Sequence, residues 1–211
     1  MKGKFITFEG IDGSGKTTQI NLLEQTLVLK DIPYVIFREP GGTKLSEKIR
    51  EILLDSENIN LSTLAESLLF VASRAQLTVE KIKPALEQDK LVICDRFVDS
   101  TIAYQGYGRG INIKYLEELN MFGTDDIIPN LTIILDIDPV QAEGRIHGST
   151  HDRMESSGND FFKRVREGYY NIARDHSQRC VIIDGNKPAD IVFEDVYTEI
   201  NKKIFKELIC S

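Results

Sequence analysis

A glycine-rich segment near the start of this 211-residue chain constrains its fold most strongly: Gly10-Ile11-Asp12-Gly13-Ser14-Gly15-Lys16-Thr17. It follows the short apolar run 5–8 and leads into a stretch of helical periodicity. In this pattern backbone N–H groups converge on phosphate oxygens, the helix N-terminus adds partial positive charge, the lysine reaches the β- and γ-phosphates, and the threonine hydroxyl suits Mg²⁺. The segment therefore predicts a strand–loop–helix unit that binds a nucleoside triphosphate. The alternative is a glycine-rich turn without a ligand.

Short apolar runs alternate with stretches of helical periodicity along the whole chain. The runs are hydrophobic at successive positions, as in parallel strands covered on both faces, and they lie at 5–8, 34–37, 91–94, 131–135 and 181–183. Helices are predicted at about 15–30, 44–54, 62–89, 112–123, 139–147, 159–178 and 189–207. This alternation predicts a three-layer, doubly wound α/β fold around a parallel five-stranded sheet, in a single domain spanning 1–211.

The charge and composition of the chain argue against certain kinds of binding partner. Lys plus Arg number 26 and Asp plus Glu number 33, which gives a net charge of −7. Such a charge repels polyanions, so we expect no nucleic-acid partner. No apolar run approaches the roughly 18 residues of a membrane-spanning helix, and Cys94, Cys180 and Cys210 have no metal-type spacing. We therefore expect a cytoplasmic protein with no membrane partner.

Two further segments place polar residues directly after predicted strands. Asp95-Arg96 follows the third strand, at the sheet edge where α/β proteins bind ligands. There an Asp can hold Mg²⁺ or its water, and an Arg can bind a phosphate through two hydrogen bonds; the alternative is a strand-end ion pair. The segment 38–43, Arg-Glu-Pro-Gly-Gly-Thr, follows the second strand, and taken alone it is typical of a loop.

Together these segments resemble the bacterial thymidylate kinase family. The matches are the family's glycine-rich start with Lys-Thr-Thr, its Arg-Glu-Pro-Gly-Gly-Thr turn, the Asp-Arg-x-x-x-Ser-Thr-x-Ala-Tyr-Gln segment at 95–105, and the base-binding helix at 69–76. The resemblance covers essentially the whole chain. It implies P-loop NTPase topology of the nucleotide kinase type, with a lid at about 144–158. It also implies phosphorylation of dTMP to dTDP by a homodimer, with ATP and Mg²⁺.

The resemblance assigns ligand contacts residue by residue. The residues implied for ATP are Gly10, Ile11, Asp12, Gly13, Ser14, Gly15, Lys16, Thr17 and Thr18. Those implied for dTMP are Asp12, Arg38, Phe70, Arg74, Arg96, Ser100, Thr101, Tyr104 and Gln105. In this set Phe70 would stack on thymine, Arg74 would hydrogen-bond the base, and Tyr104 would crowd out a 2′-hydroxyl. Thr17 and Asp95 are the candidate Mg²⁺ ligands.

The family resemblance also implies which cations take part in catalysis. Position 13 is Gly, where some relatives carry an arginine, so a catalytic arginine must come from elsewhere. The predicted catalytic set is Lys16, Arg96, Arg145 and Arg153, the last two from the lid. Relatives usually carry further lid arginines, whereas this chain has Ile-His-Gly-Ser-Thr-His at 146–151.

Several alternatives remain open from the sequence. Phe70 and Arg74 lie four residues apart on one helix face, and they are also consistent with a core phenylalanine and a solvated charge. The phosphate loop fits a kinase of another nucleotide or of a nucleoside equally well. The segment 186–190, Asn-Lys-Pro-Ala-Asp, differs by one extra residue from a guanine-binding motif, and it leaves a GTP-dependent switch as an alternative function. His147 and His151 have the spacing of two metal ligands, but the Gly, Ser and Thr between them disfavour a helix there.

Overall fold

The computed structural model describes residues 3–145, 153–154 and 157–205. Five strands lie within these ranges: β1 (Lys4–Glu9), β2 (Tyr34–Arg38), β3 (Leu91–Asp95), β4 (Leu131–Asp136) and β5 (Cys180–Asp184). They form one parallel sheet in the order β2-β3-β1-β4-β5. Each lies where an apolar run predicted it. The predicted five-stranded, doubly wound α/β fold is confirmed.

Helices connect the strands and cover both faces of the sheet. They are α1 (Lys16–Leu29), α2 (Lys44–Leu54), α3 (Thr63–Leu77), α4 (Lys83–Glu87), α5 (Val98–Thr101), α6 (Ile113–Thr124), α7 (Pro139–Glu143), α8 (Asn159–Asp175) and α9 (Ala189–Ile200). In the described part of the chain, π-helical segments extend this set: Thr78–Ile82 joins α3 to α4, Ile102–Gly108 continues α5, and Asn201–Phe205 continues α9. No helix within the described ranges has the length and apolar character needed to span a membrane.

Alternating strand residues build a core on each face of the sheet. Ile6 and Phe8 of β1 pack with Leu23 of α1 and Val196 of α9 on one face. Phe5 packs with Leu77 of α3 and Ala85 of α4 on the other face. Because both faces are covered, consecutive strand residues are apolar, and this explains why the runs were recognisable in the sequence.

The helical segment 98–108 was not predicted. Its Ser, Thr and Gly residues lower helix propensity, so no helical periodicity marks this segment in the sequence. The structure shows why it forms: α8 packs directly against it, and a Cβ on Gly108 would lie 2.5 Å from the Phe161 ring. Tertiary packing therefore determines this segment, which carries several candidate ligand contacts.

The predicted lid lies largely outside the described residues. Helix α7 ends at Glu143, and the predicted helix 139–147 is therefore shorter than expected. Residues 146–152 and 155–156 are not described, so both His147 and His151 fall outside the description, as does Cys210. Cys94 and Cys180 are buried free thiols.

Candidate active site

The glycine-rich segment forms a tight loop between β1 and α1. Gly13 and Gly15 have φ values of +78° and +96°, which L side chains rarely adopt. A Cβ on Gly13 would also lie 2.4 Å from the carbonyl oxygen of Ala142. The loop therefore needs glycine here, and in this structure a side chain at position 13 requires the backbone of α7 to move.

Lys16 occupies the start of α1 with its side chain inside the loop. It is 6% exposed, and its Nζ donates to the carbonyl oxygens of Gly10 (3.1 Å) and Ile11 (3.0 Å). Burial and then the charge of Arg96 lower the pKa of this ammonium group. The loop thus holds the buried Lys16 ammonium group close to the backbone N–H groups that are predicted to bind phosphate.

A cleft of about 530 Å³ opens above the loop. Its lining includes residues 12–19, the carboxyl ends of β2 and β3, Arg145, and the start of α9. The hydroxyls of Thr17 and Thr18 belong to exposed residues on this cleft, whereas Gly10 and Ile11 lie beneath it. The cleft has the size of a nucleotide site and is rich in cationic and N–H groups.

Arg96 connects this cleft with the end of β3. Its backbone has φ +70°, a strained value for a side chain other than Gly. The guanidinium donates to Asp12 Oδ1 (2.6 Å) and to the carbonyl oxygen of Gly10 (2.9 Å). Burial opposes the ionisation of Asp12, but Arg96 and Lys16 lower its pKa to about 2. Asp12 is therefore a carboxylate at neutral pH.

Glu9 fixes the turn that carries Arg96. The Glu9 carboxylate is fully buried and accepts from Phe97 N (2.7 Å), Ser100 Oγ (2.6 Å) and Tyr169 Oη (2.9 Å). Burial, followed by the charge of Asp99, raises the pKa of Glu9 to about 7. Sequence reasoning missed this residue because a Glu at a strand end gives no signal of its partners.

A second cavity of about 90 Å³ adjoins the cleft. Its lining residues are Asp12, Glu39, Pro40, Arg50, Leu54, Phe70, Arg74, Arg96, Ser100, Thr101, Tyr104, Gln105 and Met154. We call it the acceptor cavity. The structure thus brings together every residue implied for dTMP except Arg38. Arg50 was not predicted, since a single Arg on the amphipathic α2 resembles a solvated charge.

Arg74 is part of a buried hydrogen-bond network, so it is not the solvated surface charge that the sequence left as an alternative. It is 1% exposed, and its guanidinium donates to Glu39 Oε2 (2.7 Å), Thr101 Oγ1 (2.8 Å), Asn120 Oδ1 (2.6 Å) and the carbonyl oxygen of Phe97 (3.0 Å). A guanidinium has five N–H donors, so one remains without a partner among the described residues. That single N–H is what Arg74 can offer a ligand.

Arg38 lies apart from the acceptor cavity, on the wall of the larger cleft. Its guanidinium donates to both carboxylate oxygens of Glu47 (3.2 and 3.0 Å) and to the carbonyl oxygen of Pro40 (3.1 Å). The half-exposed side chain is thus held by Glu47. Any contact between Arg38 and an acceptor phosphate requires that phosphate to lie at the cleft end of the cavity.

Tyr104 and Phe70 supply the aromatic walls of the acceptor cavity. Tyr104 is buried, its ring lies 5.1 Å from the Arg96 guanidinium carbon, and its hydroxyl has no hydrogen-bond partner in the described part of the chain. Edge-to-face packing on Phe161 (5.9 Å) and Phe162 (6.4 Å) fixes the Tyr104 ring. Phe70 is half-buried, which leaves part of its ring available to a ligand.

The comparison with known proteins identifies the family. The family model described as thymidylate kinase matches residues 8–196. This chain belongs to the thymidylate kinase family. A thymidylate kinase of Thermoanaerobacter sp. (strain X514) is 48% identical over 202 residues, which cover 96% of this chain and 99% of the relative. One of Symbiobacterium thermophilum is 45% identical over 192 residues, 91% and 90% of the two chains.

Solved structures agree with this assignment. The crystal structure of thymidylate kinase from Ehrlichia chaffeensis superposes with a TM-score of 0.79 at 39% identity, and the match covers 95% of this chain and 100% of that one. The P-loop NTPase topology expected for a thymidylate kinase is thus confirmed. The GTP-dependent switch is not favoured: Lys187 donates instead to Asp195 (2.8 Å) and Asn186 to Asp184 (2.7 Å).

The two arginines expected from the thymidylate kinase lid occupy different places. Arg145 lines the large cleft and donates to the carbonyl oxygen of Gly185 (3.0 Å). Arg153 is absent from the lining of that cleft and instead donates to Glu66 Oε2 (2.6 Å) and the carbonyl oxygen of Leu53 (2.9 Å). The geometry does not support the catalytic role predicted for Arg153, because its charge is already committed to a buried carboxylate.

The residues expected to hold Mg²⁺ fit a cation at the cleft. Asp95 lies at the cleft wall, and its Oδ1 is buried without a hydrogen-bond partner among the described residues. The hydroxyl of Thr17 lies on the same cleft. A carboxylate oxygen and a hydroxyl are hard ligands of the kind that Mg²⁺ uses together with substrate phosphates.

Proposed function

We propose that this chain transfers the γ-phosphoryl group of ATP to dTMP, giving ADP and dTDP. One observation carries the proposal: the large cleft above the phosphate loop and the acceptor cavity share Asp12, Glu39, Arg50 and Arg96 as common walls. A donor in the cleft and an acceptor in the cavity therefore meet at these four residues. Family membership supplies the acceptor class.

The reaction depends on the positioning of the two nucleotides and on neutralisation of their phosphate charge more than on a catalytic base. An oxygen of the dTMP phosphate, already anionic, forms a bond to the γ-phosphorus while the bond from that phosphorus to the β–γ bridging oxygen breaks and ADP leaves. Lys16 and Arg96 would stabilise the charge on the transferring group, and Arg145 would assist from the cleft wall. Asp12 holds the Arg96 guanidinium in place at 2.6 Å.

Acceptor recognition would combine stacking with a few hydrogen bonds. Phe70 would stack on thymine, and the remaining N–H of Arg74 would meet the base edge beside Thr101 and Gln105. Tyr104 would pack on the deoxyribose and leave no room for a 2′-hydroxyl. The acceptor phosphate would then lie toward Arg96, with Arg50 and Arg38 as further cations.

Magnesium would be held by Thr17 and Asp95 together with ATP phosphates. Bound there, it would neutralise charge on the β- and γ-phosphates. Asp95 supplies the observation behind this proposal, since its buried oxygen otherwise lacks a partner among the described residues.

The homodimer implied by the family resemblance has a matching apolar surface. Leu64, Leu68 and Val79 form an exposed stripe along α3 and its continuation, at 65%, 54% and 64% exposure. Phe122 on the adjacent α6 is 88% exposed. A row of exposed apolar side chains on neighbouring helices is the kind of surface through which proteins associate. Light scattering on wild type and on Leu68→Lys tests this: the wild type is expected to be dimeric and the variant monomeric.

The function is tested by incubating the protein with Mg-ATP and dTMP and identifying the products by mass. We expect equal amounts of ADP and dTDP. Lys16→Ala is the matched control, because it removes the buried cation from the donor site; we expect no dTDP from it while its circular dichroism stays unchanged. ADP release without dTDP would contradict the proposal.

A further inference from the structure

Glu66 is the centre of a buried ionic cluster that the proposed reaction does not use. Its side chain is 1% exposed and accepts from Gln105 Nε2 (2.9 Å), Arg109 Nε (3.3 Å) and Arg153 Nη1 (2.6 Å). We call these four residues the Glu66 cluster. A carboxylate removed from water to this extent is retained only with charged partners, so the cluster holds three separate chain segments together.

Each of these segments contributes to the acceptor cavity. Glu66 lies one helical turn before Phe70 on α3, and Gln105 itself lines the cavity. Arg153 reaches α2, where its Nε donates to Leu53 O (2.9 Å) and its backbone N–H donates to Leu54 O (3.3 Å). Leu54 is also part of the cavity wall.

Met154 follows Arg153 directly and is placed by it. Met154 is 5% exposed and lines the acceptor cavity together with Phe70 and Leu54. Arg153 is hydrogen-bonded through both its side chain and its backbone, and its Nη2 lies 3.5 Å from Met154 Sδ. Arg109 of the same cluster also reaches this sulfur, with its Nη2 at 3.7 Å. Arg153 therefore connects a buried anion on α3 to an apolar wall of the cavity.

We propose that Glu66 and Arg153 are positioning residues for the acceptor nucleotide. Their ion pair holds Met154 and Leu54 in the cavity wall and fixes the amide of Gln105. This inference rests on the proposed function, because it names the acceptor cavity as the nucleotide site. It assigns Arg153 to acceptor binding and not to stabilisation of the transferring phosphoryl group.

The physical consequence is a specific kinetic signature. Loss of the Glu66–Arg153 pair loosens the cavity wall equally for bound dTMP and for the transition state. Both states are then bound more weakly by the same amount, so KM for dTMP rises while kcat at saturation is unchanged. ATP contacts the other cleft, whose lining includes neither Glu66 nor Arg153, so KM for ATP stays constant. A catalytic arginine gives the opposite result, a fall in kcat.

Arg153→Met is the best test because Glu66 keeps Gln105 and Arg109 as partners, and for this reason we expect the fold to be preserved. We expect KM for dTMP to rise about tenfold, with kcat and KM for ATP within about twofold of wild type. Arg153→Lys keeps the charge and is expected to recover part of the loss. Arg174→Met, which removes an exposed surface arginine, is the matched control and is expected to leave all constants unchanged.

A double-mutant cycle tests whether the two residues act as a unit. Glu66→Gln alone is expected to raise KM for dTMP, and Glu66→Gln with Arg153→Met is expected to add little to the larger single effect. Fully additive effects would overturn the proposal, as would a fall of tenfold or more in kcat with KM for dTMP unchanged.

Calorimetric binding of dTMP without ATP separates this inference from the proposed function. Weaker binding to Arg153→Met than to wild type supports the positioning role. Equal binding to both proteins overturns the positioning role alone. A wild type that binds no dTMP overturns both proposals together.

Discussion

Arg96 donates a 2.6 Å hydrogen bond to the carboxylate of Asp12, 84 residues earlier in the chain. Asp12 belongs to the phosphate loop and Arg96 to the end of β3, and both line the two adjoining cavities. Because β1 and β3 are neighbours in the sheet, their carboxyl ends bring the two side chains together. This pair therefore lies where the large cleft and the acceptor cavity meet, which are the proposed donor and acceptor sites.

Replacing Arg96 by Lys tests this pair directly. Lysine keeps the positive charge but loses the planar fork that contacts Asp12 and Gly10 together. We expect kcat to fall about a hundredfold or more, as on loss of one preorganised donor at a transition state. Arg174→Lys on the surface is the control. A kcat within about twofold of wild type for Arg96→Lys would place the phosphate chemistry elsewhere.

Arg145 is the remaining candidate for a catalytic arginine from the lid region. Single-turnover transfer by Arg145→Ala is expected to slow by at least about tenfold, since arginines in this role contribute about 10³ to 10⁵ and here Lys16 and Arg96 share the charge. Rapid-quench measurement of dTDP formation gives the rate. An unchanged rate would show that Arg145 only lines the cleft.

Phe70→Leu is predicted to weaken acceptor binding. Stacking of a base on an aromatic ring contributes about 1–3 kcal/mol, so KM for dTMP should rise about tenfold while KM for ATP is unchanged. Phe193→Leu, on α9 away from the acceptor cavity, is the matched control. If the two variants have the same KM for dTMP, then Phe70 is a core residue only.

Glu9 predicts a pH dependence of stability. Burial raises its pKa from 4.5 to about 7, so the folded state binds this proton more tightly than the unfolded state does. The contribution is full below about pH 4.5 and is lost as the pH rises through about 7. Urea unfolding of wild type and Glu9→Gln between about pH 5 and 8 measures it. The stability of wild type relative to the variant should fall with rising pH; a constant or rising difference would contradict this.

The strands and the phosphate loop were predictable because their signals are local. The run 5–8 is apolar on consecutive positions since both faces of β1 are covered, and the loop needs glycine at fixed backbone angles. The segment 98–108 was not predictable in the same way, because α8 stabilises it from about 60 residues away in sequence.

The charged residues of the site follow the same rule: a residue whose partner is distant in the sequence could not be interpreted correctly from its local pattern. Arg153 illustrates this: its sequence neighbourhood indicated a lid arginine, whereas its partner in the structure is Glu66, 87 residues earlier. Glu66 and Arg50 were missed because charges on amphipathic helices are usually solvated, and only the folded chain shows what they face. The position of Glu66 four residues before Phe70, on the same helix face, was the signal available.

The acceptor preference tests the account most directly. The kcat/KM values of wild type with Mg-ATP should be measured for dTMP, dUMP, dCMP and UMP. We expect dTMP first and dUMP lower by about fourfold, because one methyl group is worth about 0.8 kcal/mol. dCMP should be far poorer, since its amino group would face the N–H of Arg74 and leave both donors unpaired. UMP should be poor because Tyr104 excludes a 2′-hydroxyl; a value for dCMP or UMP equal to that of dTMP would contradict the proposed acceptor site.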